Sequence, residues 1–231
     1  MKIEHLPYEI DESKSKNHFY ETYWKVRALD LLGKYVPTPN GISLLDYGCG
    51  RGETMKLASA SGYITSGADV DEACLALSKQ WGATYKISVD ESLCTTEKRT
   101  YDVVTCFHVL EHVPNPSKVL RELCEISNKY VVLAVPNLRQ LYGLRRNPNM
   151  TRGVNTGHLQ GWDHWHLLNM ATNHAGLKLV AWTSDATILP IISHVVNRTL
   201  GMRAAIYLET RIFNKLFPNY SVSIIGLFEK A

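Results

Sequence analysis

Leu44-Leu45-Asp46-Tyr47-Gly48-Cys49-Gly50-Arg51-Gly52, with Asp69 seventeen residues beyond, decides the reading of this chain. An apolar run ends at an acid, glycines alternate through a turn, and Glu53 opens a helical pattern. Strand, glycine turn and helix start follow in that order, and a second strand closes on Asp69. Ligands of open parallel sheets collect beyond the carboxyl ends of the strands. The stretch therefore builds a nucleoside pocket from Gly48, Cys49 and Gly50, with Asp69 and Val70 opposite. A carboxylate has two acceptor oxygens, so Asp69 can take both ribose hydroxyls; a strand-end turn residue is the alternative. Asp46 organises the loop or meets the ligand's amino group through water. Asp90 or Glu91, after the third strand, suits an adenine amino group, and a solvated turn explains either as well.

Outward from this stretch, a helix is expected from about Asn17 to Tyr35, ended by Pro37 and Pro39. Strands are expected at Ser43–Tyr47, Tyr63–Asp69, Ala83–Val89, Tyr101–Phe107, Tyr130–Val135, Leu177–Thr183 and Tyr220–Glu229. Helices fall at about Glu53–Ala60, from the Asp71 cap to Trp81, from Asn115-Pro116 through Ile126, Asp163–Ala175, Leu189–Leu200 and Arg203–Leu216. Asn115 caps while Pro116 sits at the first helical position, where a missing N–H costs nothing. Alternating strands and helices imply an α/β fold with a parallel sheet covered on both faces. One domain is expected over 1–231, with an N-terminal helical cap at 1–40 and substrate-side insertions at 136–162 and 185–217.

The chain has 231 residues and is 45% apolar, enough for a full core. A net charge of +3 gives no argument for nucleic acid. Five cysteines, an odd number with no C-x-x-C, read as reduced apolar residues of a cytoplasmic protein. Neither a signal-like run nor a stretch of roughly 18 apolar residues is present.

A dinucleotide fingerprint needs glycine at the sixth position of G-x-G-x-x-G, and here that position is Glu53. An acid at the helix start also repels pyrophosphate. S-adenosylmethionine (SAM) carries no phosphate, so the acid is harmless to it. Together with Tyr101-Asp102-Val103-Val104 and Leu110-Glu111-His112-Val113-Pro114-Asn115-Pro116, the glycine stretch resembles class I SAM-dependent methyltransferases. More narrowly, it is similar to the small-molecule branch holding ubiquinone-biosynthesis O-methyltransferases and enzymes that tailor glycans and natural products. The resemblance covers about residues 43–183. It implies a doubly wound, Rossmann-like sheet of seven strands with an antiparallel last strand. It also implies that Phe107, ending the fourth strand, lies along the cofactor with His108 beside it. The family often carries a Lys-Pro-Gly-Gly turn before the fifth strand; this chain has Ile126-Ser127-Asn128-Lys129, then Val135-Pro136-Asn137 as in some sugar-tailoring relatives.

Methyl transfer is an in-line displacement in which the enzyme mainly positions and desolvates the acceptor. A base helps a hydroxyl acceptor, and histidine suits the task near neutral pH. Of nine histidines, His108 points where the methyl group should sit. The resemblance places the Gly157-His158 pair over the acceptor pocket. His158 and His108 are the candidate bases, with His164 third; a hydrogen-bonded structural histidine is the plain alternative for each. His112 reads as structural. Metal binding by His158, Asp163, His164 and His166 is not expected, because helical positions two apart do not share a face.

No acid occurs between Ile126 and Trp162, while Arg145, Arg146 and Arg152 do. A basic lid of this kind suits an acceptor carrying carboxylate or phosphate. The stretch Leu189–Phe217 carries an apolar stripe with Arg198, Arg203, Arg211 and Lys215. Packing on the sheet or a homodimer face is expected for it, with peripheral contact to a membrane surface as the alternative. The function expected is methylation of a small-molecule or glycan-linked acceptor, on a hydroxyl of an anionic substrate. A nucleic-acid or protein methyltransferase is the second reading. It is disfavoured because Phe107-His108-Val109-Leu110 stands where base-amino methylation uses an N/D-P-P-Y type sequence. A SAM-binding module without turnover is the third.

Overall fold

The computed structural model describes residues 14–88, 99–141 and 156–231. Seven strands form one sheet: β1 (Ser43–Tyr47), β2 (Ile64–Asp69), β3 (Ala83–Lys86), β4 (Tyr101–Phe107), β5 (Ser127–Pro136), β6 (Leu177–Ser184) and β7 (Ser223–Lys230), in the order β3-β2-β1-β4-β5-β7-β6. β1, β2, β3, β4 and β5 pair in parallel. β7 runs antiparallel to both β5 and β6. Strand order reverses between β1 and β4, and the glycine stretch leaves the carboxyl end of β1 at that switch point.

Successive residues of a strand face opposite sides of the sheet, so strands covered on both sides are apolar throughout. Leu45, Val104, Val131 and Leu133 face one core, where α4 (Pro116–Ile126) contributes Leu120, Leu123 and Ile126. Leu44, Val103, Val132 and Ala134 face the other, where α1 (Lys16–Gly33) contributes Leu29 and Leu32. α2 (Glu53–Ala60) adds Ala58 to that second layer. α3 (Glu72–Ser78) is capped by Asp71, whose side chain accepts from the Ala73 N–H. The Asn115 side chain likewise accepts from Lys118 N and begins α4.

Two expected helices are broken. The one over Asp163–Ala175 is α5 (His164–Asn169) followed by a wider π turn, Met170–His174. The one over Arg203–Leu216 begins as α7 (Met202–Tyr207) and widens at Leu208–Phe213 before Asn214–Leu216. Each widened turn holds a threonine whose hydroxyl donates to the carbonyl four residues back: Thr172 to Leu168 at 2.9 Å and Thr210 to Ile206 at 2.7 Å. Such back-bonding competes with the helical ladder. A larger departure concerns α6 (Pro190–Leu200), where Ser193 is the one buried residue. Ile191, Ile192, Val195 and Leu200 are exposed rather than packed on the sheet. No helix among the described residues is long and apolar enough to cross a membrane.

Candidate active site

The β1 loop turns back on β2. Gly48 N and Cys49 N both donate to Ala68 O, at 2.7 and 3.0 Å. Gly48 takes φ +79°, and a Cβ there would collide with Val109 Cγ2, so only glycine fits beneath the β4 turn. Gly52 takes φ +83°, with Ser78 Cα only 2.9 Å from where its Cβ would stand. Asp69 ties the loop from the neighbouring strand. Its Oδ2 accepts from Gly50 N at 2.7 Å and its Oδ1 from Asp71 N at 3.0 Å. Each oxygen keeps a lone pair for a further donor.

The loop opens onto a cleft of about 270 Å³ lined by Asp46, Gly48, Cys49, Gly50 and Phe107. Trp24 and Lys25 of α1 close one side of it, with Arg51, Glu53 and Thr54 on the rim. Lys25 pairs with Glu53, which neutralises the acid at the start of α2. Asp46 is 2% exposed, and Thr105 Oγ1 donates to its Oδ1 at 2.7 Å. Burial pushes its carboxyl up to about 6, against the pull of the Thr105 bond and the Lys25 charge. Burial also pushes the Cys49 thiol up to about 12, so it stays protonated and unreactive. Val70 lies beyond Asp69 with an exposed side chain. Asp90 falls outside the described residues, as do Arg145, Arg146 and Arg152.

Beyond Phe107 the chain bends sharply. His108 has φ +55°, the sole non-glycine positive φ among the described residues. Strain of this kind persists where the surroundings hold it. Here the His108 N–H donates to Ala134 O at 2.8 Å, and the ring packs tilted by 38° against Trp24 with centroids 4.4 Å apart. Trp24 thus walls the cleft and supports His108 at once. The bend brings Nδ1 of His108 to 3.3 Å from Oε1 of Glu111. Glu111 is 1% exposed, and neither of its carboxylate oxygens has a hydrogen-bond partner among the described residues.

Leu159 N and Gln160 N donate to Glu111 O at 2.7 and 3.1 Å, which draws the segment after Gly157 onto this turn. His112 Nδ1 lies 2.9 Å from Gly157 O. A carbonyl only accepts, so Nδ1 carries the proton and donates it. Nε2 of His112 stands 4.0 Å from Glu111 Oε1, and the His112 and His158 rings meet edge-on at 4.8 Å. Burial and the neighbouring imidazoles of His112 and His108 hold His158 below the usual histidine range, against the Glu111 charge. His158 is therefore neutral at pH 7.

His108 and His158 are thus brought together, around a carboxylate that the sequence reading passed over as part of a turn motif. Its one signal was an acid set between leucine and histidine four residues after an apolar strand. His164 is not part of the group. Its ring packs edge-on against Trp182 of β6, 5.5 Å between centroids, and burial holds its pKa down. His166 Nδ1 bonds Asp163 at 2.9 Å. Among the described residues, the set able to hold a cation is Glu111, His112 and His158, whose ligand atoms lie within 4.8 Å of one another, rather than one built on Asp163, His164 and His166.

Residues 17–181 match a family described as a methyltransferase domain. The chain is 33% identical over 105 residues to a ubiquinone biosynthesis O-methyltransferase of Hahella chejuensis, covering 43% of this chain and 44% of that protein. It is 38% identical over 87 residues to a protein of the same description from Pseudomonas savastanoi pv. phaseolicola, covering 35% and 38%. The matched stretch spans less than half the length of either relative. Among solved structures, magnesium protoporphyrin IX methyltransferase from Synechocystis PCC 6803, with bound SAH, superposes with a TM-score of 0.63 at 14% identity over 94% of this chain and 86% of that one. A SAM-dependent methyltransferase from Archaeoglobus fulgidus gives 0.60 at 21% identity over 95% and 96%. Those two likenesses concern the fold. With the sheet order and the glycine loop already placed, the match over residues 17–181 means that this chain belongs to the methyltransferase-domain family.

Proposed function

We propose that the chain transfers a methyl group from SAM to a hydroxyl of a small-molecule acceptor. The observation that carries this reading is the neutral His158 beside buried Glu111, at the turn that leaves the Phe107 wall of the cleft. The relatives named for ubiquinone O-methylation support the acceptor class. Bound SAM supplies a methyl carbon activated by sulfonium charge. Gly48, Cys49, Gly50 and Asp69 would hold its nucleoside, Phe107 would line the same cleft, and Asp46 at the cleft floor would favour a cationic group there. His158 takes the hydroxyl proton as the acceptor oxygen bonds the methyl carbon and the carbon–sulfur bond breaks. His108 and Glu111 hold the acceptor and offset the positive charge arriving on His158.

An anionic acceptor, glycan-linked or free, is the finer reading and rests on Arg145, Arg146 and Arg152. Alanine at Arg145 and Arg146 should raise the acceptor's KM and leave SAM binding intact. A second reading of the cluster is favoured by the buried Glu111 carboxylate, whose oxygens have no hydrogen-bond partner among the described residues, and by the Nε2 of His112 that faces it. In it, Glu111, His112 and His158 hold a divalent cation that polarises the acceptor hydroxyl.

One experiment tests the proposal and separates the two. SAM labelled in its methyl group is incubated with protein and a small-molecule extract, before and after chelation. Label in a neutral or anionic metabolite that survives chelation supports the histidine base. Label that vanishes on chelation and returns with added cation supports the metal. No label in either case, with SAH binding absent by calorimetry, rejects methyl transfer.

A further inference from the structure

Helix α1 is anchored on two different parts of the fold. Its second half packs on the sheet, where Ala28, Leu29 and Leu32 join Leu44, Val132 and Ile225. Its first half meets the C-terminal segment instead: Tyr20 packs with Ala186, Ile188 and Ile206. Trp24 and Lys25 stand between the two halves, and both line the cleft. The Trp24 ring meets Phe107 edge-on with centroids 5.4 Å apart, and Lys25 Nζ lies 4.8 Å from the Trp24 centroid.

A buried carboxylate fastens the first half. Glu209, fully buried in the widened turn after α7, accepts from Lys16 Nζ at 2.6 Å and from the Tyr20 hydroxyl. Burial and the Glu209 charge hold the Tyr20 phenol well above its ordinary range, so it stays the donor. Thr187 N donates to Glu209 O at 3.0 Å and ties that turn to the segment after β6. Among the described residues Lys16 is the one cation within ion-pair distance of Glu209. A buried carboxylate that loses its cation is costly to keep dry. Water reaches Glu209 when the first turns of α1 lift from the C-terminal segment, and Trp24 and Lys25 then lose their place.

We propose that Glu209 is a positioning residue for the cofactor: through Lys16 and Tyr20 it holds the first half of α1 down and so keeps Trp24 and Lys25 at the wall of the SAM cleft. The inference rests on the cleft holding SAM and is independent of which residue acts as base. The test is calorimetric titration with SAH, with amide hydrogen exchange alongside. Lys16→Met leaves Glu209 charged and uncompensated. It should raise the SAH Kd at least ~10-fold, because only the docked fraction binds. Exchange should quicken over residues 16–25 and stay unchanged in β4 and β5. Adding Glu209→Gln to Lys16→Met removes the stranded charge, while the amide oxygen still accepts from Tyr20. The Kd should then return to within about threefold of wild type. Loss of packing alone cannot give that recovery. Two results overturn the proposal and leave the cleft reading intact: an unchanged Kd in Lys16→Met, or a double variant that binds no better than Lys16→Met. Exchange that quickens equally through the sheet overturns it as well. Absence of SAH binding by the wild type removes the cleft reading and the proposal together.

Discussion

Replacing Asp46 by Asn should change how the stability of this protein responds to pH. The carboxyl sits at the floor of the cleft, fully buried, and burial raises it from 3.8 to about 6. A shift of that size penalises the ionised form by ~3 kcal/mol. A raised carboxylate contributes stability that is complete below the unfolded value and lost as pH rises through the folded one. At pH 8 both states are ionised and the residue contributes nothing of this kind. At pH 5 the folded carboxyl is mostly protonated while the unfolded one is mostly ionised, which adds ~1.4 kcal/mol to the wild type. Asn cannot titrate and forgoes that gain. Its amide also needs an acceptor beside Thr105, a cost of about 1–3 kcal/mol that is the same at both pH values. Urea denaturation of the two proteins at pH 8 and pH 5 therefore isolates the proton. The stability difference between them should move by ~1.4 kcal/mol in favour of the wild type on acidification. Parallel behaviour of the two proteins across that range would refute the placement of a protonated Asp46 in the folded cleft. Calorimetry adds a functional arm. A cationic ligand against Asp46 favours the ionised form, so SAM binding near pH 6 should release part of a proton in the wild type and none in the variant.

Asp69→Ala should cost at least ~100-fold in SAM affinity by calorimetry, since it removes two charge-assisted bonds and frees the Gly50 N–H; an unchanged Kd would remove the ribose role. Gly48→Ala should lower stability by at least ~2 kcal/mol, because αL backbone is unfavourable for alanine and Val109 must move. An unaltered urea midpoint would show that the loop adjusts freely. His158→Gln should lower kcat by ~10²–10⁴ without moving the KM for SAM. In the wild type, kcat/KM should rise with pH through a value below 6.5, the direction set by the lowered imidazole; a flat profile in the wild type would exclude His158 as the base.

Where local signals are strong, sequence and structure agree to the residue. β1 at Ser43–Tyr47, α2 at Glu53–Ala60 and β4 at Tyr101–Phe107 all stand where the sequence places them. Glycines that must take positive φ, Asn before Pro, and unbroken apolar runs are short-range constraints that no distant contact needs to supply. β5 was harder. Its apolar centre marks Tyr130–Val135, but pairing of Ser127 with Tyr101 and of Pro136 with Ser223 extends it at both ends. The cofactor-side wall was half legible, because Trp24 and Lys25 come from α1, far from the loop in sequence.

The sequence by itself determined the sheet class and the loop at its switch point, since both follow from patterns within a dozen residues. Tertiary structure alone decided that Glu111 lies among His108, His112 and His158. Two backbone bonds from Leu159 and Gln160 bring together segments some fifty residues apart, and no local pattern encodes that meeting. It also decided that His164 packs on Trp182, outside the group. An amphipathic repeat such as that of α6 says that a helix has an apolar side; only the positions of every other element say whether that side is covered.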